Sequence, residues 1–376
     1  MNLGGAERVE SVHPPDAVPD DDLLQRPAEV AVPGSGLAPS PPALTDAWPW
    51  ARYIPLVGWL ERNGFHPLWT ALLVFILAFI LFQVVIAPIV IGVGIAIDLV
   101  GRGETEPPDV GTLLEELQTN ARLMMTANTV GQWGGFALLA VAVSRLHTTA
   151  WTSFLRLRKV DPKALGLAAL GWAVMWPGVI WSGQLNERVP LPQWLEEVET
   201  MQTEMLESML MGGDLSTPFL FVALAVTPAI CEELLFRGYL QRQVERGWGT
   251  TTSIVLVGVL FGAYHLRLSQ LIPLSLLGIY MGYVVWATGS LWSGVLVHFL
   301  NNGLAVVATA FVRDGEVDAA VIEDAGVPWY FGLAGLVLAA GVSKLLLDYR
   351  RSRVGATPDS QPAAPPPALP SLPVPS

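Results

Sequence analysis

In the stretch TPAICEELLFRGYLQ, Thr227 to Gln241, two carboxylates and a guanidinium stand inside an otherwise apolar run. A charge at the centre of a membrane-spanning helix costs roughly 2.5–3.5 kcal/mol on insertion scales, so such residues persist where they pair or react. Glu233 and Arg237 lie four positions apart, share a helix face and can neutralise each other. Glu232 points about 100° away round the helix and is left without the arginine. Two more apolar segments carry polar groups: VLFGAYHL places Phe261 and His265 at i, i+4, and LVHFLNNG places His298 and Asn302 at the same interval. One unpaired carboxylate, two imidazoles and an amide suffice for hydrolysis. A glutamate in an apolar setting can take a proton from water. The histidines His265 and His298 can orient that water or, with Glu232, bind a divalent metal such as zinc. Asn302 can donate to a developing oxyanion, where losing one donor typically costs on the order of 10²–10³ in turnover.

Each of these residues also has a plain structural reading. A single intramembrane histidine often serves only to join helices, and Asn301 and Asn302 can do the same. A Glu–Arg pair can be a buried bridge, or a proton relay in a carrier. Three polar motifs on separate apolar segments weigh towards catalysis, because chance does not readily supply all three. Cys231, the only cysteine, excludes an intramolecular disulfide and reads as a small apolar helix residue.

The elements that must position these groups are membrane spans. The 376 residues are 52% hydrophobic and only 14% charged, against about 25% charged in a soluble domain. Mean hydropathy is +0.47. The formal charge of −12 argues against nucleic acid as a partner. A span needs about 20 apolar residues. Segments that qualify run from about Leu68 to Ile97, Asn128 to Leu146, Ala164 to Gly183 and Pro218 to Leu240, then Thr251 to Leu266, Leu271 to Thr288, Leu291 to Val312 and Trp329 to Leu347. The expected fold is therefore an all-α polytopic membrane protein with about eight transmembrane helices. The first segment is long enough that Pro88 raises the alternative of two crossings, and the fifth is short.

Lys and Arg set the orientation. Arg145, Arg156, Arg158, Lys159 and Lys163 mark a cytoplasmic loop, followed by an acidic outer one holding Glu187, Glu196, Glu197, Glu199, Glu204 and Glu207. Arg242 and Arg246 return the chain inside, Asp314, Glu316 and Asp318 lie outside, and Arg350, Arg351 and Arg353 close it inside. Both termini are thus expected in the cytoplasm, with the protein in the plasma membrane. Residues 1–48 and 351–376 read as disordered Pro-rich tails, and the start of the chain lacks the basic and apolar regions of a cleavable signal. An N-terminal membrane region (49–216) then precedes the polar core (217–312) and a last loop and span (313–350). Two amphipathic stretches, VGTLLEELQTNARLMM and LPQWLEEVETMQTEMLESMLMGG, are expected along the outer surface or over the bundle.

Glu232–Arg237 fits EExxxR, Phe261–His265 fits FxxxH and His298–Asn302 fits HxxxN, in that order. In this the chain resembles the CPBP family of intramembrane proteases, the CAAX-prenyl protease and bacteriocin-processing family, over about Pro218 to Val312. The resemblance implies a four-helix catalytic core around a cavity, with Glu232 as general base and His265 and His298 holding water or a metal. It implies that Asn302 stabilises the oxyanion, while Glu233, Arg237 and Phe261 support the site. The family was first described as metalloproteases, and a metal-independent glutamate mechanism has been proposed for its CAAX-processing members; the residues are compatible with either. The expected partners are the lipid bilayer and a membrane-associated protein or peptide substrate, cut as a CAAX motif, a leader or a regulator. Rival readings are an inactive scaffold or immunity protein of the same family and an ion or solute carrier. Oligomeric state has no signature in the chain.

Overall fold

The computed structural model describes residues 43–44, 54–103, 109, 111, 120–212, 215–318 and 326–355. All belong to one compact unit, Pro41–Ser376. The tails expected to be disordered lie mostly outside these residues, as does much of the first amphipathic stretch. Apart from a two-residue antiparallel pairing, Ala43–Leu44 with Ile54–Pro55, the described chain is helical. Its main helices are α1 (Pro67–Arg102), α2 (121–147), α3 (Pro162–Asn186), α4 (Gln193–Gly212), α5 (Thr217–Trp248), α6 (Thr250–Tyr264), α7 (Leu271–Thr288), α8 (Leu291–Arg313) and α9 (Trp329–Gly355).

The chain is an all-α polytopic membrane protein. Among the described residues, six helices are long and apolar enough to cross a bilayer: α1, α3, α5, α8, α9 and the stretch Leu268–Thr288 that includes α7. The other two expected spans are helical but fall outside that set. One is α2; the other, α6, is apolar but has only 15 residues, about 22 Å against a hydrocarbon core of about 30 Å. The first segment is a single helix of 36 residues. Pro88 does not split it, because a π turn over Ile80–Ile86 widens the ladder just before the proline, whose ring and missing N–H a regular turn does not accommodate. The same device recurs in α5, where the π turn Phe221–Val226 precedes Pro228. The last helix continues to Gly355, into the stretch assigned to the C-terminal tail.

α5 is the hub. Two-thirds of its apolar window is buried (67%), against 17% for α1 and 22% for α8 and α9. It packs against α1, α2, α6, α7 and α8, while α3 and α9 pack on each other and on α7. An apolar cluster built on Phe82, Phe136, Phe154, Phe236, Phe261 and Met281 fills the interior. α6 and α7 form a tight hairpin because their backbones touch: a Cβ on Gly278 would stand 2.6 Å from the Gly258 carbonyl oxygen. Close approach through small residues is how helices gain contact where lipid supplies no hydrophobic drive. The turn from α7 into α8 is covered by the segment after α2, with Leu291 N–H donating to Arg156 O (2.8 Å) and Ser290 Oγ to Arg158 O (2.6 Å). Phe261, near the end of the short α6, and His298, about two turns into α8, meet ring to ring at 5.6 Å.

The second amphipathic stretch forms α4 and is tied to the loop just after α6. The Glu199 carboxylate accepts from the backbone N–H of Leu268 (2.6 Å) and Ser269 (3.2 Å), and Arg267 donates to Thr203 Oγ1 (2.8 Å). Burial opposes ionisation of Glu199 but is outweighed by hydrogen bonds from Ser269 and Leu268 and by the charge of Arg267, so its pKa is lowered. A carboxyl with a lowered folded-state pKa stabilises the fold above its unfolded value and loses that contribution as pH falls through the folded one.

Two outcomes follow from these contacts. Gly278→Leu should destabilise the full chain by roughly 1–3 kcal/mol through overpacking, read as a lower thermal midpoint in detergent; an unchanged midpoint would contradict the α6–α7 contact. The thermal midpoint of the wild type should fall more than that of Glu199→Gln as pH drops below about 4.5. Parallel curves for the two proteins would remove Glu199 from the attachment of α4.

Candidate active site

A wide π turn over Leu234–Leu240 follows Glu232 and Glu233 in α5. Its residues are buried throughout, so the polar groups it carries must find partners inside the protein. Arg237 Nη1 donates to Glu233 Oε1 at 2.6 Å, with both side chains fully buried. Arg237 Nη2 donates to the Gly278 carbonyl of α7 (3.1 Å), and the guanidinium lies 4.3 Å from the centre of the Phe261 ring. The pair is thus held by a carboxylate, a carbonyl and an aromatic face from three helices. A Cβ on Gly294 of α8 would stand 2.7 Å from Glu233 Oε2, so only glycine leaves room for this carboxylate.

His298 joins this network. Its Nδ1 lies 3.1 Å from Glu233 Oε1 and its ring meets Phe261 edge-on at 5.6 Å. A nitrogen facing a carboxylate carries the proton, which leaves Nε2 as an acceptor. Of the two adjacent glutamates, the hydrogen-bonded partner of His298 is Glu233. Spacing along one helix does not say which of two adjacent glutamates another helix will meet.

Glu232 faces elsewhere. Among the described residues it has no hydrogen-bond partner, and it lines a cavity of about 430 Å³ together with His265, Tyr264, Gln83, Asn128, Gln132 and Gln202. His265 caps the end of α6, and its Nδ1 donates to Phe261 O at 2.8 Å. That bond sets the tautomer and leaves Nε2 free to accept. Glu232 and His265 are thus brought to one water-accessible space. Neither His298 nor Asn302 is among the residues that line it. Asn302 Nδ2 donates to Leu224 O of α5 (2.9 Å) and its Oδ1 accepts from Asn301 (3.2 Å), an arrangement that braces α8 against α5.

To hold a metal, Glu232, His265 and His298 would have to converge, and among the described residues no group of three His, Cys, Asp or Glu side chains is placed to hold an ion. The metal set that the residue types allow, Glu232, His265 and His298, does not fit this arrangement, because His298 is turned towards Glu233.

The sequence reading missed the amide-bearing wall opposite Glu232. Gln83 of α1 and Asn128 and Gln132 of α2 come from helices outside the three motifs. A lone glutamine in ILFQVVIA, and an Asn–Gln pair at i, i+4 beside an apolar run, were the available signals.

The buried pair makes a quantitative prediction. Arg237→Ala leaves Glu233 buried without its cation and should cost roughly 3–5 kcal/mol of stability. The double variant Arg237→Ala with Glu233→Ala should recover part of the lost thermal midpoint. Equal midpoints for wild type and Arg237→Ala would show that the pair does not brace the bundle.

Residues 214–304 match the family model described as type II CAAX prenyl endopeptidase Rce1-like. That segment begins just before α5 and ends within α8, and so contains all three motifs. No curated protein and no solved structure matches the chain. The segment that carries Glu232, His265 and the Glu233–Arg237–His298 network is thus similar to the type II CAAX prenyl endopeptidase Rce1-like family, in agreement with the resemblance carried by the motifs.

Proposed function

We propose that the protein is an intramembrane endopeptidase that hydrolyses a peptide bond of a membrane-associated protein or peptide with Glu232-activated water. The observation that carries this reading is that Glu232, unlike Glu233, is free of the arginine and shares a cavity with the acceptor nitrogen of His265. A water between them donates one proton towards Glu232 and is oriented by His265 Nε2. As its oxygen attacks the substrate carbonyl carbon, Glu232 takes the proton and the carbonyl oxygen gains negative charge. When the tetrahedral species collapses, the C–N bond breaks and the proton passes from Glu232 to the departing amine.

The neighbouring network keeps this chemistry in place. Glu233, neutralised by Arg237 and hydrogen-bonded by His298, spares Glu232 a second unpaired carboxylate at its side. Phe261 covers the guanidinium and supplies the carbonyl that orients His265. Asn302 acts through Leu224, holding α5 in register with α8.

The family's description supports a CAAX-type cut; removal of a leader or cleavage of a regulator uses the same site. The basic loops support a chain with both termini in the cytoplasm, seated in the plasma membrane.

The test compares protein termini in membranes expressing wild type or Glu232→Ala at matched levels. New termini that require Glu232 are the expected result, and they reveal substrate and cleavage position together. Identical sets of termini, with both proteins restoring the same cellular phenotype, would make the site structural and the protein a scaffold.

A further inference from the structure

Two residues that line the Glu232 cavity, Gln132 and Tyr264, each carry a buried polar atom that has no partner among the described residues. Gln132 is 5% exposed, and its side-chain oxygen Oε1 is buried without a hydrogen bond; its nitrogen faces Asn128 Oδ1 at 3.5 Å. The Tyr264 hydroxyl, one residue before His265, is buried and equally without a partner. Its ring is fixed among Phe75, Phe79, Phe136 and Phe236, at centroid distances of 5.4–5.8 Å, so the hydroxyl cannot swing away to find one. A buried polar group left unpaired costs about 1–3 kcal/mol, and native structures keep few of them without a use. Here the two residues that carry such groups line the same space as Glu232 and His265.

Their chemistry is complementary. Gln132 Oε1 can only accept, and the Tyr264 hydroxyl can donate. A peptide unit presents one N–H and one C=O on opposite sides of its plane, whereas a hydrocarbon chain presents neither. We propose that Gln132 and Tyr264 form a main-chain clamp that holds the substrate as an extended peptide in front of Glu232, with Gln132 accepting a backbone N–H and Tyr264 donating to a backbone carbonyl. The inference rests on the peptidase reading above and adds its substrate-positioning residues. Gln132 belongs to α2, outside residues 214–304, so part of the clamp is specific to this chain's N-terminal region. Because both contacts are to the main chain, the clamp selects for an unfolded segment and not for particular side chains next to the cut.

The experiment uses the full chain in lipid nanodiscs and the peptide whose cut end requires Glu232. Each non-scissile amide near the cut is replaced in turn by an ester, which removes one N–H. At one position the wild type should lose about tenfold in kcat/KM. Gln132→Leu should be about tenfold slower on the all-amide peptide and lose nothing further at that position. Tyr264→Phe, which keeps the ring, should lose a similar factor with an unchanged thermal midpoint. Equal ester penalties in wild type and Gln132→Leu at every position would overturn the clamp while leaving the peptidase reading intact. Slower cleavage matched by lowered thermal midpoints in both variants, again with equal ester penalties, would assign the two residues to packing. A wild type that cleaves nothing in a Glu232-dependent way would overturn the peptidase reading and the clamp with it.

Discussion

The ion pair between Glu233 and Arg237 is the constraint on which the rest of the core depends. Taking either charge out of water costs several kcal/mol, and the pair is tolerable only because every helix around it contributes something. α7 offers a backbone carbonyl, α6 an aromatic face, and α8 an imidazole together with the glycine that makes room for the carboxylate. These contacts cannot all be made unless the four helices of residues 217–313 are in register. The pair is therefore a poor source of net stability and a strict source of geometry.

That geometry divides two adjacent carboxylates between two tasks. Glu233 is spent inside the bundle, and Glu232, turned about 100° away, is presented to a polar cavity beside His265. The cavity itself is a joint product. Its reacting side comes from the family-matched segment, whereas Gln83, Asn128, Gln132 and Gln202 come from α1, α2 and α4 before it. Glu199 fastens α4 to the loop that follows His265, so the amphipathic helix that supplies Gln202 is anchored to the site it borders. Under the proposed function, the reacting groups and Tyr264 come from the family-matched segment, and Gln132 comes from the region before it.

Much of this was legible in the sequence because charge in an apolar helix is costly and therefore conspicuous. Glu232, Glu233, Arg237, His265 and His298 stood out on that ground, and the four-residue interval foretold the contact between Glu233 and Arg237. The residues of the expected spans are helical apart from His265 and Leu266 at the end of the fifth, since hydropathy reports apolar length directly. What stayed hidden depends on contacts between helices. The sequence periodicity of α8 does not reveal that His298 turns to Glu233, or that Asn302 is occupied by Leu224. The π turns that let α1 and α5 run through Pro88 and Pro228 leave no compositional mark. Gln132 and Asn128 are not marked out by the sequence, because an uncharged amide in an apolar helix serves as readily to join helices as to line a site.

The central claim is that neighbouring glutamates have opposite roles, and the most direct measurement sets Glu232→Gln beside Glu233→Gln in the purified full chain. Thermal midpoint and Glu232-dependent peptide cleavage are read on the same samples. The account predicts that Glu232→Gln keeps its midpoint and loses cleavage, whereas Glu233→Gln lowers the midpoint because Arg237 is left without its counter-charge. A Glu233→Gln variant with a wild-type midpoint, or a Glu232→Gln variant that still cleaves, would contradict it.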